Sequence, residues 1–456
     1  MRIEVPSYRK RAGVWYARPM RWRAGLGVAA AGAALWAASC SGDNSSADAG
    51  PDAAADVTME YYVKDVGVPT AVLVDVAAGA SHTCAVAAYG PRNATFCFGK
   101  DAALGAPKQG LLATTSTGSA PSPSFVQITS GPEAAHTCAI DDKKGVWCWG
   151  DNTVGQCGIG NPSPSVDTPQ GVLDFNIGPA RATSLAVGKA TTCTLRYPDD
   201  RLTCFGDNGT CQSNFHHLDA QNQPVCDTGL AAAQLGSDDG VVFKNLSILG
   251  AGSAHACGYG DAVVAGAQAL FCWGDNASLE SGPAPAGVNA VAVAAASPPK
   301  KAVSLAGGAA HTCFVTDSPH ELYCFGKNDQ HQASPTSASA TIDPSSMTAI
   351  PLPASAIPLS VAAGPNETCV ADIAGQVWCF GASHGTNIDP VSGIKDVTKV
   401  VMGGAHACAI GHAPTDVAGT PVSLFCWGDN TDGQAGQPPG GTVATPTVVA
   451  IPQTGP

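Results

Sequence analysis

Charge is scarce in this chain: Asp, Glu, Lys and Arg make up only 13% of its 456 residues. Helix formers at 3.6-residue spacing are nearly absent beyond the N-terminus, which argues against a helical protein. The apolar run at residues 24–39 holds 16 residues, short of the roughly 20 that a permanent membrane-spanning helix requires. No Gly-x-Ser-x-Gly elbow, His-Glu-x-x-His pair or phosphate loop occurs. The sequence therefore assigns no catalytic, cofactor-binding or metal-binding residue, and it reads as a non-enzyme without a cofactor. A basic excess is missing too. Residues 1–39 hold seven of the 23 basic side chains and one of the 36 acidic ones, so the remainder carries 16 against 35, a net of −19. Such a body repels phosphate backbones, and nucleic acid is excluded as a partner.

Glycine (53) and proline (34) are abundant instead, as suits many short strands joined by turns. The 18 cysteines are distributed with order. Seven times the chain reads Gly-x-x-His-x-Cys or a variant, followed ten to eighteen residues later by aromatic-Cys-aromatic-Gly. The pairs are Cys84/Cys97, Cys138/Cys148, Cys193/Cys204, Cys257/Cys272, Cys313/Cys324, Cys369/Cys379 and Cys408/Cys426. A repeat at this period signals a repeated structural unit.

The N-terminus reads as an address. Arg2, Arg9, Lys10, Arg11, Arg18, Arg21 and Arg23 precede the apolar run, small residues follow, and Cys40 comes directly after Ala-Ala-Ser. This is the layout of an export signal, with Met20 as an alternative initiator to Met1. The Cys40 context resembles the bacterial lipoprotein signal, which implies cleavage before Cys40 and a palmitate-type diacylglyceryl anchor on its thiol. An ordinary secretory signal with an incidental cysteine is the competing reading. Residues 40–64 are small, polar and acidic, with nothing to bury, and read as a disordered tether to the membrane. The expected organisation is a signal peptide over 1–39, a tether over 40–64 and a folded domain over 65–456.

Within each unit an apolar, alternating segment ends at Gly79, Gly188, Gly252, Gly308, Gly364 or Gly403. Unit two has Gly131 and two extra residues, read as a bulge. Next come His-Thr-Cys-Ala-Val/Ile, a turn such as Asp141–Gly145, and Val-Trp-Cys-Trp-Gly or a variant, all with strand composition. First-cysteine spacings of 54, 55, 64, 56, 56 and 39 residues leave room for four strands per unit, the content of a β-propeller blade. The expected fold is all-β, a seven-bladed propeller. The short last unit suggests that a strand from 71–74 or 447–451 completes it by mixing the termini.

The pattern resembles the repeats of the regulator of chromosome condensation family, which form seven-bladed propellers. Unit two carries it best, in Gly145-Val-Trp-Cys-Trp-Gly-Asp-Asn-Thr-Val-Gly-Gln-Cys-Gly-Ile-Gly160. Unit seven keeps part as Gly428-Asp-Asn-Thr-Asp-Gly-Gln-Ala-Gly436, and the other units are read as having lost most of this turn. The resemblance covers about residues 65–452 and speaks to fold; one fold hosts many functions.

In an oxidising compartment, facing cysteines on consecutive strands close into disulfides, one per unit. A His/Cys metal site is the rival reading, but Thr191 and Glu367 replace the histidine while the cysteines persist. Cys211 and Cys226 are expected to staple the longest insertion, and Cys157 to be free or to compete for one of them. His82, His136, His255, His311 and His406 are expected to bond the backbone of a neighbouring blade rather than to line a common surface. The five tryptophans after Cys40, namely Trp147, Trp149, Trp273, Trp378 and Trp427, are expected to pack between blades; a sugar platform would need exposure. Asp429–Gly433 faintly resembles a calcium loop, and His216-His217 is a weak metal signal. Variable linkers at 106–124, 161–180, 208–239, 276–299 and 330–358 are where a partner surface is sought.

Functionally, these features point to a monomeric, lipid-anchored binding propeller of the bacterial envelope with an unknown protein partner. The alternatives are a glycan-active enzyme with carboxylates converging on a central channel, or a purely structural envelope component.

Overall fold

The structure is a computed structural model. It describes residues 8–11, 14–17 and 71–451, apart from 91, 101–109, 112–122, 175–177, 199, 214–215, 219–223, 227–242, 263–267, 284, 297–300 and 354–355. Met20, Cys40 and the 40–64 tether lie outside the described residues, as does the apolar run before Cys40. Residues 1–64 form a unit of their own, in which Tyr8–Arg11 pairs with Val14–Ala17.

Residues 65–456 form the second unit, a seven-bladed β-propeller. Each blade is an antiparallel sheet whose strands follow in chain order. The inner strands are Val72–Ala78, Phe125–Thr129, Ala182–Val187, Phe243–Ala251, Ala302–Gly307, Pro358–Ala363 and Lys395–Met402. The second and third strands carry the repeated cysteines in direct register, Cys84 opposite Cys97 through to Cys408 opposite Cys426. Each facing pair is a cystine, with Cα separations near 4.1 Å, close to that of a non-hydrogen-bonded cross-strand pair. An eighth, Cys211–Cys226, staples the insertion of blade three. Blade three has three strands in its sheet among the described residues, Ala182–Val187, Thr191–Arg196 and Leu202–Gly206.

The mixing of termini does not occur. Blade seven is completed by its own C-terminal strand Thr442–Val448, which pairs with Ser423–Asp429. Val72–Ala78 instead opens blade one. A 39-residue spacing is short only because the first cysteine of blade six is followed by a compact outer strand, Gly385–Pro390, reached through the three residues 382–384. The ring therefore closes by packing between blades one and seven, and Ala71 and Ile451 lie against the same small cluster of Ala87, Ala94 and Phe96.

Successive first strands turn into second strands at a ring of glycines. A methyl group on Gly188 or Gly308 would sit 2.5 Å from the carbonyl oxygen of Gly252 or Gly364 in the next blade. On Gly79, Gly252, Gly308 or Gly403 it would also strike the imidazole three residues on. That double crowding explains the Gly-x-x-His spacing. The two extra residues of unit two are not a bulge. Pro132 and Glu133 form a turn beyond the strand end, and the Glu133 carboxylate accepts a hydrogen bond from the Ser253 hydroxyl of blade four, passing over blade three.

Candidate functional site

The strand directions give the wheel two unlike faces. On one lie the glycine ring and the turns that leave each third strand. On the other, each inner strand begins beside a hairpin joining the second and third strands. Backbone bonds fix this adjacency: Asp142 N–H to Ser124 O, Tyr197 to Arg181, Asp317 to Lys301 and Ile373 to Ile357, all between 2.8 and 3.0 Å.

The turn face is built by one repeated device. In blades two, three, four, five and seven an asparagine (Asn152, Asn208, Asn276, Asn328, Asn430) accepts the amide N–H five residues on, at 2.9–3.1 Å. Four residues after the asparagine, Gln156, Gln212, Glu280, Gln332 or Gln434 accepts the N–H two residues back. Blades three, four and five thus retain the turn that the sequence reading counted as lost. The residue before the Gln or Glu has positive φ in all five: Gly155, Cys211, Leu279, His331 and Gly433. Where glycine is absent the motif becomes hard to read, yet the side chains hold the same backbone. Asp429 belongs to this device, its oxygens taken by Thr431 N–H and by the Gln434 amide, so the faint calcium-loop pattern is a structural turn.

The five repeated histidines are buried and form no common surface. Their recurring partner is a side-chain hydroxyl rather than the backbone expected, although the backbone at His82 also bonds His406 across the closing seam. Each imidazole Nε2 meets a threonine hydroxyl of the next blade: His82–Thr137 at 2.7 Å, His136–Thr192 at 2.8 Å, His255–Thr312 at 2.8 Å, His311–Thr368 at 2.9 Å and, across the closing seam, His406–Thr83 at 2.7 Å. Four of these threonines give their one proton to the turn carbonyl of the preceding blade, at Gln434, Gln156, Glu280 and Gln332. They must then accept from the histidine, which fixes the Nε2–H tautomer. Burial holds His136, His311 and His406 at a pKa of about 3 and His255 at about 4, so these rings are neutral. At the two remaining seams both partners are missing together. Thr191 replaces histidine where blade four offers Ala256, and Glu367 replaces it where blade seven offers Ala407. This co-variation is visible in the sequence once each histidine is read against the next unit.

The tryptophans are structural. Trp147 and Trp378 donate to Asp141 and Asp372 of their own hairpins, each at 2.9 Å. Trp273 donates to the Gln212 carbonyl of blade three at 3.0 Å, filling the place of the lost His–Thr pair. Trp149 is buried and stacks on Phe125, centroids 5.8 Å apart. Cys157 is the free cysteine of the described residues, buried in its turn, where burial and Asp151 push its thiol pKa up. No group of three or more His, Cys, Asp and Glu suited to a metal occurs among the described residues. Strand His216–Leu218 belongs to the insertion.

The central channel encloses about 190 Å³ between the ends of all seven inner strands. Its described wall is mostly small and aliphatic, for example Ala77, Leu185, Leu249, Ala306 and Val361. The one charged residue of this wall, Lys399, is committed to Asp75, which stands beside it. Asp75 accepts the N–H of Val76 and of Ile128 in blade two, each at 2.9 Å, and pairs with the Lys399 ammonium of blade seven. One carboxylate thus joins three blades at the closing seam.

What remains open for recognition is the hairpin face. Exposed there are Val72, Val74, Val126, Val303, Ile357 and Leu359, in or just before the first halves of inner strands, and Tyr197, Ile373 and Val417, in the hairpins. Lys143, Lys144, Arg181 and Lys301 are interspersed, and Arg181 lies over the Tyr197 ring at 4.8 Å. The turn face carries Asp151, Asp207, Asp275, Asp329, Asp429 and Asp432, and the hairpins carry acids of their own, among them Asp142, Asp200, Asp317 and Glu321. Sequence reasoning sought a partner surface in the long linkers; the apolar residues that begin each inner strand escaped it, since alternation there looks like ordinary strand pattern.

Residues 125–156, the bulk of blade two, match the profile of the regulator of chromosome condensation (RCC1) repeat. No curated protein matches the chain in sequence. Among solved structures, yeast RCC1 (Prp20) bound to Kap60 is similar at 15% identity, with 84% of this chain and 85% of that one covered and a TM-score of 0.60. Prp20p from Saccharomyces cerevisiae, described with its binding to Gsp1p and histones, is similar at 15% identity over 76% and 80% of the two chains, TM-score 0.55. Human WBSCR16 follows at 14% identity over 83% of each chain, TM-score 0.53. The likeness is one of fold: these repeats build an RCC1-like propeller.

Proposed function

We propose that the protein is an exported, non-catalytic binding propeller, held at a bacterial envelope membrane through a lipid on Cys40, with a protein partner docking on the hairpin face. The observation that carries this reading is the recurrence of exposed apolar side chains at inner-strand starts and hairpins of that face; large apolar exposure on a rigid scaffold marks an interaction surface. The fold relative Prp20, seen bound to Kap60, gives a precedent for protein binding by this architecture. Eight cystines suit an oxidising, extracytoplasmic setting, and the acidic body disfavours chromatin or any nucleic acid.

In this reading residues 1–39 are removed as a signal peptide, 40–64 form the tether and 65–456 act as a monomeric domain. The inner strand Val72–Ala78 begins on the hairpin face, so the tether would join the domain there. The glycan-active alternative needs two converging carboxylates at the channel, and the described wall includes no carboxylate, while the neighbouring Asp75 is engaged by Lys399.

The test uses soluble domain 65–456 and its Val303→Asp/Leu359→Asp variant against envelope extracts. Both positions are exposed, so melting should be unchanged. Saturable capture by the wild type, weakened about tenfold or more in the variant, supports the reading, as expected for apolar anchors. Equal capture by both, or none by either, contradicts it. Separately, palmitate labelling of cells is expected to mark the wild type and not Cys40→Ser; label on both would exclude Cys40 as the acylated residue.

A further inference from the structure

Blade four departs from its neighbours at one atom. In the turns of blades two, three and seven the glutamine Nε2 donates to the carboxylate that opens the turn: Gln156 to Asp151 at 2.9 Å, Gln212 to Asp207 at 2.8 Å and Gln434 to Asp429 at 2.8 Å. Blade four keeps the opening aspartate, Asp275, which accepts the N–H of Ala277 as its counterparts accept theirs. It keeps the asparagine bond from Asn276 to Ser281 N–H. At the glutamine position it has Glu280, 2% exposed, which takes the Ser278 N–H as the glutamines take theirs. The remaining oxygen of Glu280 therefore occupies the place from which an amide donates to aspartate elsewhere. A carboxylate there has nothing to donate and meets a second carboxylate; a carboxylic acid has an O–H and restores the bond.

We propose that Glu280 holds a proton and donates it to Asp275 as the missing hydrogen bond, making the seam between blades four and five a pH-sensitive latch. The coupling to the seam is direct. The Glu280 backbone carbonyl accepts the Thr312 hydroxyl of blade five at 2.9 Å, and Thr312 accepts from His255. When the proton leaves, two negative charges confront each other in a turn where Glu280 is buried and Asp275 half-buried, and the carbonyl that anchors the seam is carried by one of the repelling residues. Burial first, and Asp275 second among the raising influences, push the Glu280 pKa up to about 7. Among the described residues no Lys or Arg forms an ion pair with either carboxylate. From blade five the nearest backbone is Gly326; the adjoining Lys327 pairs with Asp329 at 3.2 Å. His255 and His311 are buried, with pKa values lowered to about 4 and about 3.

The sign follows from proton counting. A carboxyl whose folded pKa lies above its unfolded value binds more protons in the folded state between the two. Its contribution is fully present below about pH 4.5 and is lost as pH rises toward about 7. The experiment compares the intact domain with Glu280→Gln, which installs the side chain that four sister turns already tolerate, and with Asp275→Asn, which removes the other charge. Melting is followed from pH 5.5 to 8.5, and amide exchange is measured over 275–283 and 311–316 after correction for intrinsic rates. Glu280→Gln is expected to raise the melting temperature by about 3 °C or more at pH 8.5, by less at pH 5.5, and to abolish a rise in exchange of both segments across pH 7. Asp275→Asn is expected to abolish that rise as well. An offset between Glu280→Gln and wild type that is the same at both pH values, or exchange in the wild type that does not change across pH 7, would overturn the latch. These outcomes are independent of any partner on the opposite face.

Discussion

Single residues carry strain and charge that the repeat tolerates because the scaffold overdetermines them. Leu279 and His331 hold positive φ, 67° and 62°, in turns where blades two and seven use glycine. Such a backbone costs a side-chain-bearing residue about 1–2 kcal/mol, partly offset by glycine's greater freedom when unfolded. Leu279→Gly is therefore expected to be neutral or to stabilise by up to about 1 kcal/mol. The reverse change, Gly433→Leu, should destabilise by about 1 kcal/mol or more. Chemical denaturation midpoints of both variants check this; a loss of about 2 kcal/mol or more on Leu279→Gly would contradict it. The strain also explains why the turn escaped reading in blades three to five. Its glycine is the conspicuous letter, while the Asn and the Gln or Glu that hold the geometry are ordinary surface residues in isolation.

Among elements, the seam between blades is the informative unit. Thr137→Ala removes the hydroxyl that the buried His82 Nε2 meets, a loss of about 1–3 kcal/mol. His82→Thr combined with Thr137→Ala reproduces the pairing found naturally between blades three and four. The double variant is expected to cost less than the sum of the single ones, with a coupling of about 1–2 kcal/mol. A double-mutant cycle in urea measures it; strict additivity would show that the imidazole and hydroxyl do not interact. The strands and their partners were legible because cysteine and aromatic positions recur with fixed offsets inside each unit. The seam was not, because its two halves lie about 55 residues apart and only the fold makes them neighbours. The same holds for Asp75, whose partners Ile128 and Lys399 come from either side of the ring. The mixing of termini inferred from the short last unit failed for a related reason: spacing reports chain length, and blade six simply spends less of it on its outer turn.

At the scale of the whole molecule, closure without strand exchange gives the closing seam the same His–Thr contact that four other seams carry. With Ala71 and Ile451 against one cluster, joining the ring's ends and opening the chain at 354–355, between blades five and six, should give a permutant that folds with the same cystines. Failure of the permutant to form them under conditions where the parent does would show that the natural seam is special. The buried histidines set the acid limit of the whole ring. Their folded pKa values of about 3 to 4 lie below the unfolded value near 6.5, so the unfolded chain binds more protons in that window. Stability is fully present above about pH 6.5 and is lost as pH falls toward about 3. Melting temperatures across pH 3 to 8 should decline on the acid side below about 6.5, with only the shallower loss from Glu280 running the other way. A melting temperature that stays flat or rises on acidification through that range would place the histidines in contact with solvent.

The most direct measurement of the wheel as described is peptide mapping of the secreted, oxidised domain without reductant. It should recover Cys84–Cys97, Cys138–Cys148, Cys193–Cys204, Cys211–Cys226, Cys257–Cys272, Cys313–Cys324, Cys369–Cys379 and Cys408–Cys426, with Cys157 as the thiol that reacts only after unfolding. Links joining cysteines of different blades, or several additional free thiols, would contradict it.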